Sequence, residues 1–166
     1  MRTQFVGALV TVLLTAALGN AQNASIFRRF QKFPSPDGAM IVVIHSAGVL
    51  EATRESRVEV RSHSGRVLAK CTYFSADGEH GYGVTKAAWT PDSQFFVYSL
   101  ASSGGHQSWH TPVLFFSRRS SKIVSLDDLL KDAISNPQFE ISAPDRITVI
   151  LWSTMQTKTV SLGQIR

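Results

Sequence analysis

The chain has 166 residues, 43% of them hydrophobic and 17% charged, which supplies apolar material for one packed domain and excludes wholesale disorder. The net charge of +5 is mild, and Arg54, Arg57, Arg61, Arg66 and Lys70 are interleaved with Glu51, Glu55 and Glu59. The massed cationic face that nucleic-acid binders use is therefore not expected.

At the N-terminus, Met1 and Arg2 give a positive start, Phe5 to Leu18 form an uncharged apolar run, and Gly19-Asn20-Ala21 presents small residues at a cleavage position. This pattern predicts a secretory signal peptide over residues 1–21, followed by a single β-rich domain over residues 22–166. The apolar run is shorter than the roughly 20 residues of a spanning helix, so no membrane association is expected after cleavage. Export places the product in the periplasm or outside the cell. Asn23-Ala24-Ser25 fits an N-glycosylation acceptor, which matters only in a eukaryotic secretory route. Cys71 is the only cysteine, so no internal disulfide can form and the fold must rest on its core. Its strand-like surroundings point to a buried, inert thiol.

Beyond the signal, short β-branched and aromatic bursts alternate with Gly, Pro, Ser and Asp clusters, the punctuation of an all-β fold. Strands are predicted near residues 26–33, 40–46, 57–62, 66–74, 84–90, 95–101, 112–117, 122–125, 139–142, 146–152 and 158–162. Arg57-Val58-Glu59-Val60-Arg61 alternates strictly, which predicts valines facing the core, charged side chains facing water, and an outer or edge-side strand. Residues 41–44, 95–98 and 147–152 are continuous apolar runs, as in strands covered on both faces. Ser64-Gly65 marks a tight hairpin. Arg28-Arg29 and Arg118-Arg119 read as solvated hairpin positions, and Trp89 and Trp152 as core. One short helix is predicted after Ser125, an N-cap, with Asp127 and Asp128 at the positive end of its dipole and an apolar stripe of Leu126, Leu129, Leu130 and Ala133. Asn136-Pro137 is expected to end it.

Pro36-Asp37, Pro91-Asp92 and Pro144-Asp145 recur at intervals of 55 and 53 residues, each followed by an apolar run, and Val58 and Val113 both lie 22 residues after their proline. Spacing of this kind predicts three repeated supersecondary units, the third truncated. Pro presets φ and Asp bonds its own backbone, so all three aspartates read as turn residues. Phe33-Pro34-Ser35-Pro36-Asp37-Gly38 followed by residues 41–44, and Trp89-Thr90-Pro91-Asp92-Ser93 followed by residues 95–98, resemble the Ser-Pro-Asp-Gly strand motif of TolB-type (WD40-like) β-propeller repeats. The resemblance implies blade-like antiparallel units and a periplasmic interaction scaffold. Propellers have typically 4 to 8 blades, so three units do not close a ring. An open propeller-like module, a twofold assembly completing six blades, and a β-sandwich that borrows the turn all remain open.

The most unusual segment is Ser102-Ser103-Gly104-Gly105-His106-Gln107-Ser108-Trp109-His110-Thr111, a loop between two strands. Gly104 and Gly105 leave backbone amides accessible and Trp109 offers a stacking face. Ser103, Gly104, Gly105, His106, Gln107, Trp109 and His110, with His80 and Tyr82 from the preceding loop, are the candidate ligand-binding residues. The leading reading is an exported binding or interaction module without catalytic activity, cofactor or metal. Its partner is a protein or a small molecule, with a homodimer possible. The competing reading is a small secreted hydrolase or metal-binding protein using His106 and His110, with Ser103 as nucleophile and Gly104-Gly105 as oxyanion donors, or with Asp77, Glu79 and His80 as further metal ligands.

Overall fold

The computed structural model describes residues 27–48, 54–105 and 108–165. The expected signal peptide, Ile26 of the first expected strand, and His106 and Gln107 of the loop lie outside the described residues. Among the described residues the chain is all-β, with three antiparallel sheets and one short α-helix. Within each sheet, turn clusters reverse the chain onto the strand before it, and the connections over residues 73–81 and 126–139 start a new sheet. Sheet I runs β1 (Phe27–Pro34), β2 (Met40–Gly48), β3 (Glu55–Ser62) and β4 (Val67–Thr72) in that order. Sheet II repeats the pattern with β5 (Tyr82–Trp89), β6 (Phe95–Ser102), β7 (Val113–Ser117) and β8 (Lys122–Ser125). Sheet III has β9 (Glu140–Ser142), β10 (Arg146–Ile150) and β11 (Thr157–Ser161), with β10 in the middle.

The Pro-Asp turn joins the first and second strands in all three sheets. In sheets I and II it is built alike. The Ser35 hydroxyl donates to Asp37 Oδ1 (2.6 Å) and accepts from the Met40 amide (3.0 Å). The Thr90 hydroxyl donates to Asp92 Oδ1 (2.6 Å) and accepts from the Phe95 amide (3.0 Å). The next residue takes positive φ in both, +69° at Gly38 and +62° at Ser93. The third turn has Ala143 where the others have a hydroxyl, so Asp145 turns elsewhere and accepts from the Ser161 hydroxyl and the Gly163 amide (2.7 Å). Val58 on β3 and Val113 on β7, matched by their offset from proline, are both fully buried on the third strand of their sheets.

Two cores hold the sheets together, and β6 feeds both. Phe96, Tyr98 and Leu100 point from one face of β6 into a cluster with Val42, Ile44, Val58 and Val60 of sheet I. Phe95 and Val97 point from the other face toward Ile147 and Val149 of sheet III, with Leu126, Ile134 and Phe139 filling the space between. Side-chain hydrogen bonds cross both junctions. Trp89 Nε1 donates to the Phe33 carbonyl (2.9 Å) and Lys86 Nζ to the Phe139 carbonyl (2.6 Å). Tyr98, fully buried, shares a hydroxyl bond of 2.7 Å with Tyr73, which satisfies both polar groups.

The helix α1 (Leu126–Leu130) has Ser125 as its N-cap, the hydroxyl accepting from the Asp128 amide (3.2 Å). It stops at Lys131, which adopts φ +57°, well before Asn136-Pro137. Ser64-Gly65 makes the β3–β4 hairpin as expected, with Gly65 at φ +85°. Other expectations are corrected. β3 lies inside sheet I, between β2 and β4, and Glu59 is 6% exposed because Arg57 and Arg61 fold over its carboxylate. β10 alternates rather than being covered on both faces, with Ile147 and Val149 buried and Thr148 and Ile150 less so, because among the described residues no further sheet covers its outer side. Trp152 falls beyond β10 in a turn and is 43% exposed. Cys71 is half-buried, since β4 is an edge strand. Arg118 is not a solvated hairpin residue, for its guanidinium pairs with Asp37 and ties the β7–β8 turn to the first Pro-Asp turn.

If β6 is the shared wall of both cores, Phe96→Ala should destabilise the whole domain by about 3–5 kcal/mol. Urea denaturation followed by both tryptophan fluorescence and circular dichroism should show one coincident, down-shifted transition; a separate early transition confined to sheet I would contradict shared support.

Candidate functional site

The loops expected to carry recognition meet at the end of β6, and a buried carboxylate organises them. Glu55, at the start of β3, is 1% exposed. It accepts from the amide (2.6 Å) and hydroxyl (2.5 Å) of Ser75, from the Gly81 amide (2.5 Å) and from the Ser103 hydroxyl (2.9 Å). Burial pushes its pKa up, but the donors from Ser75, Ser103 and Gly81 outweigh that and hold it below the ordinary glutamate value. Ser103 is further stitched to Gly81, donating to its carbonyl (3.0 Å) and accepting from its amide (2.8 Å).

This packing leaves no room for side chains at the glycines. A Cβ on Gly81 would sit 2.1 Å from the Tyr73 carbonyl, and one on Gly104 would sit 2.5 Å from the Glu79 carbonyl. Gly105 is at φ +72°, and its backbone lies against the His80 ring. The 102–105 segment and the 75–81 loop therefore form one ridge. On that ridge His80 Nδ1 and Asp77 Oδ2 are 2.5 Å apart, and both side chains are more than half exposed. Hydrogen bonds from the Glu79 amide, Ser75 and His80 hold the Asp77 carboxyl well below the usual range, and Asp77 in turn raises the His80 imidazole above its ordinary value near 6.5.

The other half of the predicted site turns toward sheet III. His110 Nε2 lies 2.9 Å from Asp127 Oδ1 on α1. Asp127 also accepts from the amides of Val113 (3.0 Å) and Ile134 (3.0 Å), so this imidazole rests on a carboxylate that braces the sheet II to sheet III junction. The Trp109 ring stacks on Trp152 with centroids 4.4 Å apart and planes 23° apart. Trp152 is positioned by its own amide, which donates to the Ala133 carbonyl (2.8 Å), and by Ser153, whose amide and hydroxyl both donate to Asp132.

The structure thus divides the predicted set. Ser103, Gly104, Gly105 and His80 come together, Trp109 and His110 form a second group, and Tyr82 departs from both by packing on the core between sheets I and II. Glu55, Trp152, Asp127 and Asp77 complete these groups. Glu55 reads from the sequence as one more surface charge, Trp152 as core and Asp127 as a helix-dipole residue. The Ser103 hydroxyl is committed to a fold-bracing carboxylate, and His110 is committed to another. Among the described residues, no three His, Cys, Asp or Glu side chains are grouped so as to hold a metal ion, and no helix is long and apolar enough to cross a membrane. No protein-family model matches the chain, and a search of curated proteins finds no match.

Because the folded Glu55 carboxyl has a pKa below its unfolded value near 4.5, its contribution to stability is complete above that value and is lost as pH falls through the folded pKa. Glu55→Ala should cost about 2–4 kcal/mol at neutral pH, since buried donors that lose their acceptor cost about 1–3 kcal/mol each. The variant should also show a flatter loss of stability below pH 4.5 in denaturation series; unchanged acid sensitivity would rule the carboxylate out as its source. NMR titration should place the His80 pKa above 6.5, returning toward that value in Asp77→Asn.

Proposed function

We infer that the chain is an exported binding module without catalytic activity, made of three TolB-type repeat units, and that it contacts its partner through the loop end. The equivalent placement of the three Pro-Asp turns, with hydroxyl and aspartate built alike in the first two, supports the repeat reading. The outer face of sheet III carries Thr148 and Thr159 and that of sheet I carries Lys32, Arg57, Arg61 and Lys70 beside its aromatic margin, as on the solvated terminal units of a stacked array, which favours an open three-unit module over a face-to-face assembly completing six blades.

The observation that carries the binding reading is the Trp109–Trp152 stack. Trp152 keeps 43% of its surface exposed while hydrogen bonds at Trp152 and Ser153 fix the turn beneath it. A rigid indole surface of this kind loses little conformational freedom on contact and is the type of side chain that dominates interface energetics. The Asp77–His80 pair and the ridge of Ser103, Gly104 and Gly105 supply polar groups at the same end of the molecule. The hydrolase reading has less support, because Ser103 and His110 both bond carboxylates at the junctions between sheets, while His106, its other histidine, lies outside the described residues.

A photo-crosslinking residue placed at position 152 should trap a discrete adduct in cells that produce the protein, while the same residue at Thr148, on the outer face of sheet III, should not. Trp152→Ala should weaken binding of the trapped partner by about 2 kcal/mol while leaving the fold intact. Equal trapping at both positions would discard the loop-end assignment, and turnover of a hydrolase panel that disappears in His80→Ala or His110→Ala would discard the non-catalytic one.

A further inference from the structure

The outer face of sheet I, away from the loop-end stack, carries a second feature. Register and strand alternation set its side chains in rows across the four strands. One row holds Phe30, His45, Arg57 and Thr72, the next Lys32, Val43, Glu59 and Lys70. Arg61 stands in the third row beside Ile41. The charges that are interleaved along the chain are thereby sorted in space. Lys32, Arg57, Arg61 and Lys70, with His45, share a face with two carboxylates, Glu55 at the start of β3 and Glu59, and both are withdrawn. Glu59 is 6% exposed and is gripped by Arg61 Nη2 at 2.6 Å and Arg57 Nε at 3.0 Å. One buried acid thus pre-orders two guanidinium groups at the surface while cancelling only part of their charge.

Aromatic surface borders this face. Phe30 is 67% and Phe74 38% exposed, and Lys32 Nζ lies 5.8 Å from the centre of the Phe30 ring. A groove of about 520 Å³ opens there between Arg29, Phe30, His45, Arg57 and Phe74. Cations spaced over the sheet, half-buried Ile41 among them and exposed phenyl rings at the margin make a mixed surface. Polyanion binding draws on dense positive charge and counterion release. Interfaces between proteins combine arginine and aromatic residues with an apolar centre, and charge complementarity selects the partner.

We propose that the outer face of sheet I docks an acidic segment of a protein partner, its carboxylates against Lys32, Arg57, Arg61 and Lys70 and an apolar side chain in the Phe30–Phe74 groove. This surface meets the 75–81 loop at Phe74, but the proposal rests on the sheet's cations and not on the loop-end site.

The test uses the purified chain and a fluorescent dodecapeptide of alternating Glu and Ala with one central Phe, read by anisotropy. Binding should be lost when Gln replaces Glu in the peptide and should weaken as salt shortens the screening length toward about 3 Å at 1 M. The double variant Lys32→Glu, Lys70→Glu changes two exposed side chains and should weaken binding by about tenfold or more. The control pair Lys122→Glu, Lys158→Glu, on sheets II and III, should leave it within about twofold, given the screening of distant surface charges. Phe30→Ala should weaken binding without altering the melting curve. Absence of peptide binding, equal loss in the control pair, equal binding of the Gln peptide, or preference for a heparin fragment or for phosphatidylglycerol vesicles over the Glu peptide would each overturn the proposal.

Discussion

Burial of β6 on both faces is the constraint from which the architecture follows. A strand that carries aromatic and aliphatic residues at consecutive positions has no face to offer to water, so its sheet must be covered twice. Sheet I and sheet III, with α1, supply the two covers, and each then presents its remaining face to solvent. Sheets I and III can therefore afford polar outer surfaces where sheet II cannot. The uncovered side of β10 and the charged side of β3 are the two ends of one stack.

Where the sheets meet, hydrogen-bonded carboxylates set the alignment that apolar packing leaves loose. Hydrophobic contact is non-directional, whereas Glu55, Asp127 and Asp37 each fix several donors at hydrogen-bond distance. Glu55 locks the sheet I to sheet II connection to the end of β6. Asp127 joins the start of β7 to the segment after α1, and Asp37 ties the first Pro-Asp turn to Arg118 of the β7–β8 turn. A carboxylate buried in this way is tolerable only because its lone pairs are filled. The same network holds the candidate recognition ridge rigid and keeps serine and histidine side chains occupied.

Much of the fold was legible in the residues. Continuous or alternating apolar bursts marked every strand to within a few residues, Ser125 marked the helix start, and the recurring Pro-Asp turns marked three units of like topology. The candidate site was legible only in part. Ser103 through Gly105 and His80 do converge, yet nothing in the chain pattern separates them from Trp109 and His110, because the two groups diverge only when one end of the loop follows sheet I and the other follows α1. Tyr82 packs on the core between sheets I and II, and a tyrosine at a strand start carries no mark in the sequence of which way it packs.

By itself, then, the sequence determined the all-β class, the order of strands and turns, and the repeat of hydroxyl, proline and aspartate, since these depend on local φ preferences and on alternation along a strand. Tertiary structure alone decided which charges are surface and which are buried, that Trp152 meets Trp109 in the open, and that cations from β1, β3 and β4 share a face whose carboxylates, Glu55 and Glu59, are hidden. Such outcomes depend on cross-strand register and sheet stacking, which bring together residues tens of positions apart and have no signature in any short stretch of chain.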